Sequence, residues 1–257
     1  MYNRRRLNIW IGETFLTQVI NYAHRGASAY YPENTLTAFE KALELGATGI
    51  ETDIQMTKDG ELILIHDEIL TRTTGVKGFV KDFTLKEIKE LDAGSWFKEE
   101  FTNERIPTLD EFFDLIVRQD ILINLELKSG VVLYPDIEKK VVEKIKAYDL
   151  TDRVIISSFN HYSLMDVKRL APDIKIGLLY NEALYEPWNY AKNMGASALH
   201  PIYFAVLPEF VAAAKQEGII YNPFTVNEER DMKRLIAAGV GGIITDYPDR
   251  LATLLSE

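Results

Sequence analysis

The sequence predicts an α/β chain folded as a (β/α)8 TIM barrel with a small inserted subdomain after the second strand region. Three observations lead there. Short β-branched apolar runs alternate one-for-one with amphipathic stretches from Val19 onward, the pattern of a parallel sheet covered by helices. Eight such pairs can be counted if Val19 and Ile50 belong to the first two strands, which is the number that closes a barrel. No Gly-rich dinucleotide turn follows any run, which disfavours the competing doubly wound open sheet. The length of 257 residues, 47% of them apolar, suits one such domain.

The first strand, residues 19–23, runs into His24-Arg25-Gly26. A helix is expected after Pro32, with Asn34 as N-cap, Leu36, Phe39 and Leu43 on its apolar face, and Gly46 in the C′ position. Residues 48–55 form the second strand. Lys58-Asp59-Gly60 is a turn signal, and the run 62–65 leads to His66-Asp67. Residues 67 to about 106 break the rhythm, with one helical pattern at 85–91, and read as the insertion. The alternation resumes with helices at about 108–118, 135–147, 161–170, 186–194, 208–216, 227–238 and 248–255. Between them lie strands at 121–127, 153–157, 174–179, 197–200, 218–222 and 241–245.

Composition removes several functional classes. Lys and Arg number 29 against 39 Asp and Glu, a net charge of −10, which argues against a nucleic-acid surface. The chain has no Cys, so disulfides, thiolate catalysis and Cys-ligated metals are excluded, and any metal must be held by oxygen or imidazole. No apolar run approaches the ~18 residues of a membrane span, so stable membrane insertion is not expected. Arg4-Arg5-Arg6 and the following Leu7-Asn8-Ile9-Trp10-Ile11 resemble the opening of a signal peptide. Gly12-Glu13-Thr14 then interrupts the apolar stretch, and no small-residue cleavage site follows. Residues 1–18 are therefore read as an N-terminal extension and 19–257 as one domain. A cytoplasmic address is expected, with a secreted form left open.

In a TIM barrel the active site lies at the C-terminal ends of the strands. Those ends carry a polar set that a core would not select: His24 and Arg25, Glu51 and Asp53, His66, then Glu126 and Lys128. Residues two apart on a strand share a face, so Glu51 and Asp53 point together, as do Glu126 and Lys128 on the adjoining strand. Ile50, Ile54, Leu125 and Leu127 mark the opposite face as buried. Two unit charges ~4 Å apart repel by about 4 kcal/mol at an effective dielectric of 20. Three carboxylates converging at one mouth therefore call for a hard dication, Mg2+ or Ca2+. Two imidazoles on opposite sides of a bound ester can serve as general acid and general base. Arg25 and Lys128 can hold anionic oxygens, although Lys128 is equally explained by pairing with the acids.

These stretches, His24-Arg25-Gly26 through Pro32-Glu33-Asn34-Thr35, then Glu51-Thr52-Asp53, His66-Asp67 and Glu126-Leu127-Lys128, resemble the glycerophosphodiester phosphodiesterase family in order, spacing and the insertion after His66. The resemblance extends from about Ile20 to the C-terminus. It implies a small-molecule glycerophosphodiester substrate, cleaved to an alcohol and sn-glycerol 3-phosphate with a divalent metal. By position it implies Glu51, Asp53 and Glu126 as metal ligands, His24 and His66 as the acid–base pair, and Arg25 and Lys128 on the phosphate. Where the family usually has Trp-Thr-Val-Asn, this chain reads Phe224-Thr225-Val226-Asn227. Phe224 keeps an apolar face for glycerol carbons but lacks the indole N–H, and plain barrel packing explains it equally well.

Two other readings stand beside this one: a lysophospholipase D-like enzyme, and a barrel that binds glycerol phosphate without cleaving it. Asp246 and Asn160 are read as helix caps, Glu33 as part of a helix start, and His200 as structural. The sequence leaves the oligomeric state open.

Overall fold

The computed structural model describes residues 18–256, so the extension read at residues 1–18 lies, but for its last residue, outside the described residues. The strands are β1 (Ile20–His24), β2 (Gly49–Met56), β3 (Leu62–Leu64), β4 (Leu122–Leu127), β5 (Val154–Ser158), β6 (Lys175–Tyr180), β7 (Ala198–Pro201), β8 (Ile220–Tyr221) and β9 (Gly242–Thr245). The helices are α1 (Leu36–Glu44), α2 (Thr71–Thr74), α3 (Leu85–Glu90), α4 (Leu109–Ile116), α5 (Ile137–Ala147), α6 (His161–Leu170), α7 (Pro187–Asn193), α8 (Pro208–Gln216), α9 (Glu229–Ala238) and α10 (Pro248–Ser256).

Eight strands are parallel in the order β8-β7-β6-β5-β4-β2-β1-β9. Backbone bonds from Gly241 N to Tyr221 O (2.9 Å) and from Ile244 N to Pro223 O (3.0 Å) bring the ends of that order together. The barrel is thus nearly closed. The expected strand at 218–222 is reduced to Ile220–Tyr221, with Gly218 held in a left-handed turn (φ 75°) ahead of it, and β3 pairs antiparallel with β2 outside the barrel path.

All eight residues of β2 are buried, as expected for a strand covered on both sides. Ile50 and Ile54 join Phe39, Phe112, Leu125 and Leu127 in the core between strands and helices, which turns Glu51 and Asp53 toward the barrel interior. The register does the rest: His24 lies beside Glu51, and Asp53 beside Glu126.

After β1 the chain turns through Arg25 (φ 55°) and Gly26 (φ 83°). A Cβ on Gly26 would lie 2.6 Å from the backbone of Ala38, so glycine there lets α1 close against the strand end. The N-cap of α1 is Thr35, whose hydroxyl accepts from Ala38 N at 3.2 Å. This corrects the expectation for Asn34, which instead adopts a left-handed conformation (φ 56°) and turns its amide into the barrel.

Residues 67–106 pack Leu70, Val80, Ile88, Ala93 and Ile106 with Ile63 and Ile65 into a small core of their own. Thr84 and Glu87 form a capping box at α3, and Thr108 and Glu111 another at α4. Among the described residues, no helix is long and apolar enough to cross a membrane.

Candidate active site

A cavity of about 200 Å3 opens at the C-terminal ends of the strands, lined by His24, Arg25, Glu51, His66, Glu126, Lys128, Phe159 and Phe224 among others. Asp53 lies directly behind it. Each of Glu51, Asp53 and Glu126 offers a carboxylate oxygen within 4.8 Å of the other two, and their residues are only 3%, 1% and 9% exposed. At that spacing each charged pair costs at least about 3.5 kcal/mol at an effective dielectric of 20.

The protein meets this cost by splitting the three acids. Burial works against the charge of Asp53, but Arg25, Lys128 and His66, with a hydrogen bond from Asn34, outweigh it and hold its carboxyl well below the usual range. Arg25 Nε stands 3.2 Å from Asp53 Oδ2, and Lys128 Nζ stands 3.7 Å from Oδ1. Burial followed by repulsion from Asp53 and Glu126 pushes Glu51 far above an ordinary glutamate. Glu126 is also raised by burial, although Lys128 at 2.8 Å works against that. Asp53 Oδ1 is buried without a hydrogen-bond partner. A set of hard oxygen donors, one without a hydrogen bond and one raised well above the usual carboxyl range by burial and by its acidic neighbours, fits a divalent cation. The three carboxylates can hold a metal ion.

Both histidines hand one ring nitrogen to a carboxylate. His24 Nδ1 donates to Asp246 Oδ1 at 2.6 Å. Asp246 also accepts from Ser28 Oγ (3.0 Å) and Asn227 Nδ2 (2.7 Å), and its N–H donates to Asn227 Oδ1 at 3.0 Å. Burial opposes ionisation of Asp246, yet the bonds from His24, Asn227 and Ser28 bring it down to about 2. Its expected role as a helix cap is therefore replaced by one at the site. With Nδ1 so engaged, His24 Nε2 faces the cavity, 3.9 Å from Glu51 Oε2.

His66 Nδ1 donates to Asp67 Oδ1 at 2.7 Å. Asp67 is held in turn by Arg72, which also forks onto Glu33, and Glu33 accepts from Arg25 Nη1 at 3.0 Å. Burial opposes the charge of Asp67, but Arg72 and His66 bring it to about 2. The structure thus brings every predicted site residue to one place and adds Asp246, Asn227, Asn34, Glu33, Asp67 and Arg72. An acid next to His66 in sequence was the available signal for Asp67; the others carry no comparable local mark.

Asn34 donates to Asp53 Oδ2 at 2.9 Å and accepts from Thr52 Oγ1 at 2.8 Å. Phe224 lines the cavity and meets Phe159 edge-on at 5.9 Å, while its other side packs near Ile20, Tyr22 and Ile244. His200 is fully buried, accepts from Asn222 Nδ2 at 3.1 Å and is pushed down to about 3 by burial, in keeping with a structural role. Asn160 caps α6 as expected.

Comparison with known proteins places this constellation. The glycerophosphoryl diester phosphodiesterase family matches residues 24–250. A glycerophosphodiester phosphodiesterase of Caldanaerobacter subterraneus subsp. tengcongensis is 58% identical over 91% of this chain and 97% of its own. One from Bacillus altitudinis is 44% identical over 92% and 98%. An Oleispira antarctica phosphodiesterase, solved in complex with the product sn-glycerol-3-phosphate, superposes with a TM-score of 0.87 at 32% identity, covering 93% of this chain and 97% of that one. From the end of the first strand into the last helix, the chain belongs to the glycerophosphoryl diester phosphodiesterase family.

Proposed function

We propose that this chain hydrolyses glycerophosphodiesters to an alcohol and sn-glycerol 3-phosphate in the cavity at the strand ends. The observation that carries the reading is the meeting there of three buried acids, two cations and two carboxylate-held imidazoles. Glu51, Asp53 and Glu126 are assigned as ligands of one Mg2+ or Ca2+, both of which accept oxygen donors of this kind. A bound dication supplies Lewis-acid stabilisation of charge on the phosphoryl oxygens.

Arg25 and Lys128 are assigned to the non-bridging phosphate oxygens, Arg25 through its fork and Lys128 as a point charge. Each histidine keeps a proton on Nδ1 for its carboxylate and leaves Nε2 for exchange with the substrate. One Nε2 takes the proton from the attacking oxygen as the new P–O bond forms. The other gives a proton to the alcohol oxygen as its P–O bond breaks. Phe224 and Phe159 offer an apolar wall for substrate carbon. A protein that only bound glycerol phosphate would need no pair of imidazoles fixed in this way.

We also read residues 19–257 as one phosphodiesterase domain carrying 67–106 as an insertion, and the cytoplasm as its address. The test is steady-state release of sn-glycerol 3-phosphate from glycerophosphocholine, -ethanolamine, -glycerol and -inositol by chelator-stripped protein, with Mg2+ and Ca2+ added separately. Release that depends on added metal is expected. Failure to cleave any of the four with either ion would overturn the reading.

A further inference from the structure

Arg72 belongs to the inserted segment, not to the barrel, yet its guanidinium is shared by two carboxylates that each touch a site residue. Nε and Nη2 donate to the two oxygens of Asp67 at 2.7 and 3.0 Å, and Asp67 holds His66. Nη1 and Nη2 donate to the two oxygens of Glu33 at 2.7 and 2.8 Å, and Glu33 holds Arg25. Arg25 ends 3.2 Å from Asp53. One planar cation therefore closes a continuous ladder from the His66 imidazole to the buried acids.

The local chain is built to present it. Arg72 lies on the single turn of α2 between Leu70, fully buried, and Thr73, 6% exposed. Leu70 N donates to Gly78 O at 3.0 Å and Thr74 Oγ1 to Leu70 O at 2.8 Å. The guanidinium also lies 5.7 Å from the centre of the Trp96 ring. An isolated surface ion pair orients little, and the Arg72 side chain is 40% exposed. Here, however, two parallel forks fix its plane, and Glu33 is only 12% exposed.

We propose that Arg72 is a positioning residue that sets His66 and Arg25 at the same time, so that the insertion supplies part of the active-site geometry. This rests on the proposed roles of His66 in proton transfer and of Arg25 on the phosphate. A lysine in its place has one ammonium and cannot grip both carboxylates in a common plane.

The test is steady-state kinetics on a cleaved glycerophosphodiester with wild type, Arg72→Ala, Arg72→Lys, Asp67→Asn, Glu33→Gln and His66→Ala, with circular dichroism on each. Loss of an orienting partner of this kind costs about 10- to 100-fold. Asp67→Asn is expected to act mainly on kcat, Glu33→Gln mainly on KM, and Arg72→Ala on both, with partial recovery when guanidinium is added well below denaturing concentration. The Asp67→Asn/Arg72→Ala double variant should show no further loss of kcat beyond Asp67→Asn alone.

Arg72→Lys folds around the same stem and should still lose activity, so it decides the matter if Arg72→Ala does not fold. Wild-type turnover with Arg72→Lys and Arg72→Ala both within about twofold of it in kcat and KM, while His66→Ala is inactive, would overturn the positioning role alone. A wild-type chain that cleaves no glycerophosphodiester would remove the proposed function, and this inference with it.

Discussion

His24 and His66 present the same nitrogen to one cavity, and each gives the other nitrogen to an aspartate, but the two aspartates are held by different means. Asp246 sits in a web of neutral donors, Ser28 and Asn227, and reaches His24 across 222 positions of sequence because β9 lies beside β1. Asp67 is the immediate neighbour of His66 and is held by a cation on α2. The first pair exists only once the barrel has closed. The second is local and ionic, and its outer member is part-exposed, where salt and local opening have most effect. One arrangement, an imidazole held by an aspartate at the cavity, is thus reached by two physical routes.

The largest effect is expected from removing either imidazole. His24→Ala and His66→Ala should each lower kcat by about 10²- to 10⁴-fold, measured as glycerol 3-phosphate release under saturating substrate. A wild-type rate in either variant would break the symmetry of the comparison and the acid–base assignment with it.

The aspartates should separate the two routes. Asp246→Asn and Asp67→Asn are each expected to cost about 10- to 100-fold in turnover, but to differ in stability. An amide at 246 turns an NH2 group toward donors already there, a mismatch worth about 1–3 kcal/mol when solvent is scarce. An amide at 67 leaves Arg72 with Glu33, and the loss should stay within about 1 kcal/mol. Urea unfolding checks this, and equal losses would show that the two pairs are held alike.

Acid unfolding gives a smaller effect with a definite sign. Asp67 and Asp246 are both lowered in the folded protein, to about 2, against about 3.9 when unfolded. Folding is therefore favoured by their ionisation at all pH values above about 4, and that contribution fades as pH falls from about 4 to about 2. With partial exposure discounted, Asp246 accounts for about 1–2 kcal/mol and the more exposed Asp67 for no more than about 1 kcal/mol. Asp246→Asn should flatten this acid limb in a pH series of urea unfolding curves. An unchanged limb would mean that its carboxylate is not specially stabilised.

What the sequence made legible follows from the same contrast. Glu51, Asp53, Glu126 and Lys128 could be read because strand periodicity fixes which residues share a face, and the apolar neighbours Ile50, Ile54, Leu125 and Leu127 say which face that is. The barrel itself was readable from the alternation of elements. Asp246, Glu33 and Arg72 were not: Asp246 and Glu33 had adequate local explanations as a cap and a helix start, and their partners His24 and Arg72 lie 222 and 39 positions away, while Arg72 stands in a stretch with no periodic pattern to mark it. Asn34 illustrates the limit most sharply. Capping preference admits both Asn34 and Thr35, and only the left-handed turn at Asn34 releases its amide to Asp53 and passes the cap to Thr35.

The central claim is that three acids from neighbouring strands share one dication on which turnover depends. Calorimetric titration of chelator-stripped protein with Mg2+ and with Ca2+, paired with activity at each point, tests it most directly. The expected result is one bound ion per chain, activity rising with occupancy, and loss of both in Glu51→Gln and Asp53→Asn variants that remain folded. Full turnover in excess chelator, or wild-type metal binding by those variants, would contradict it.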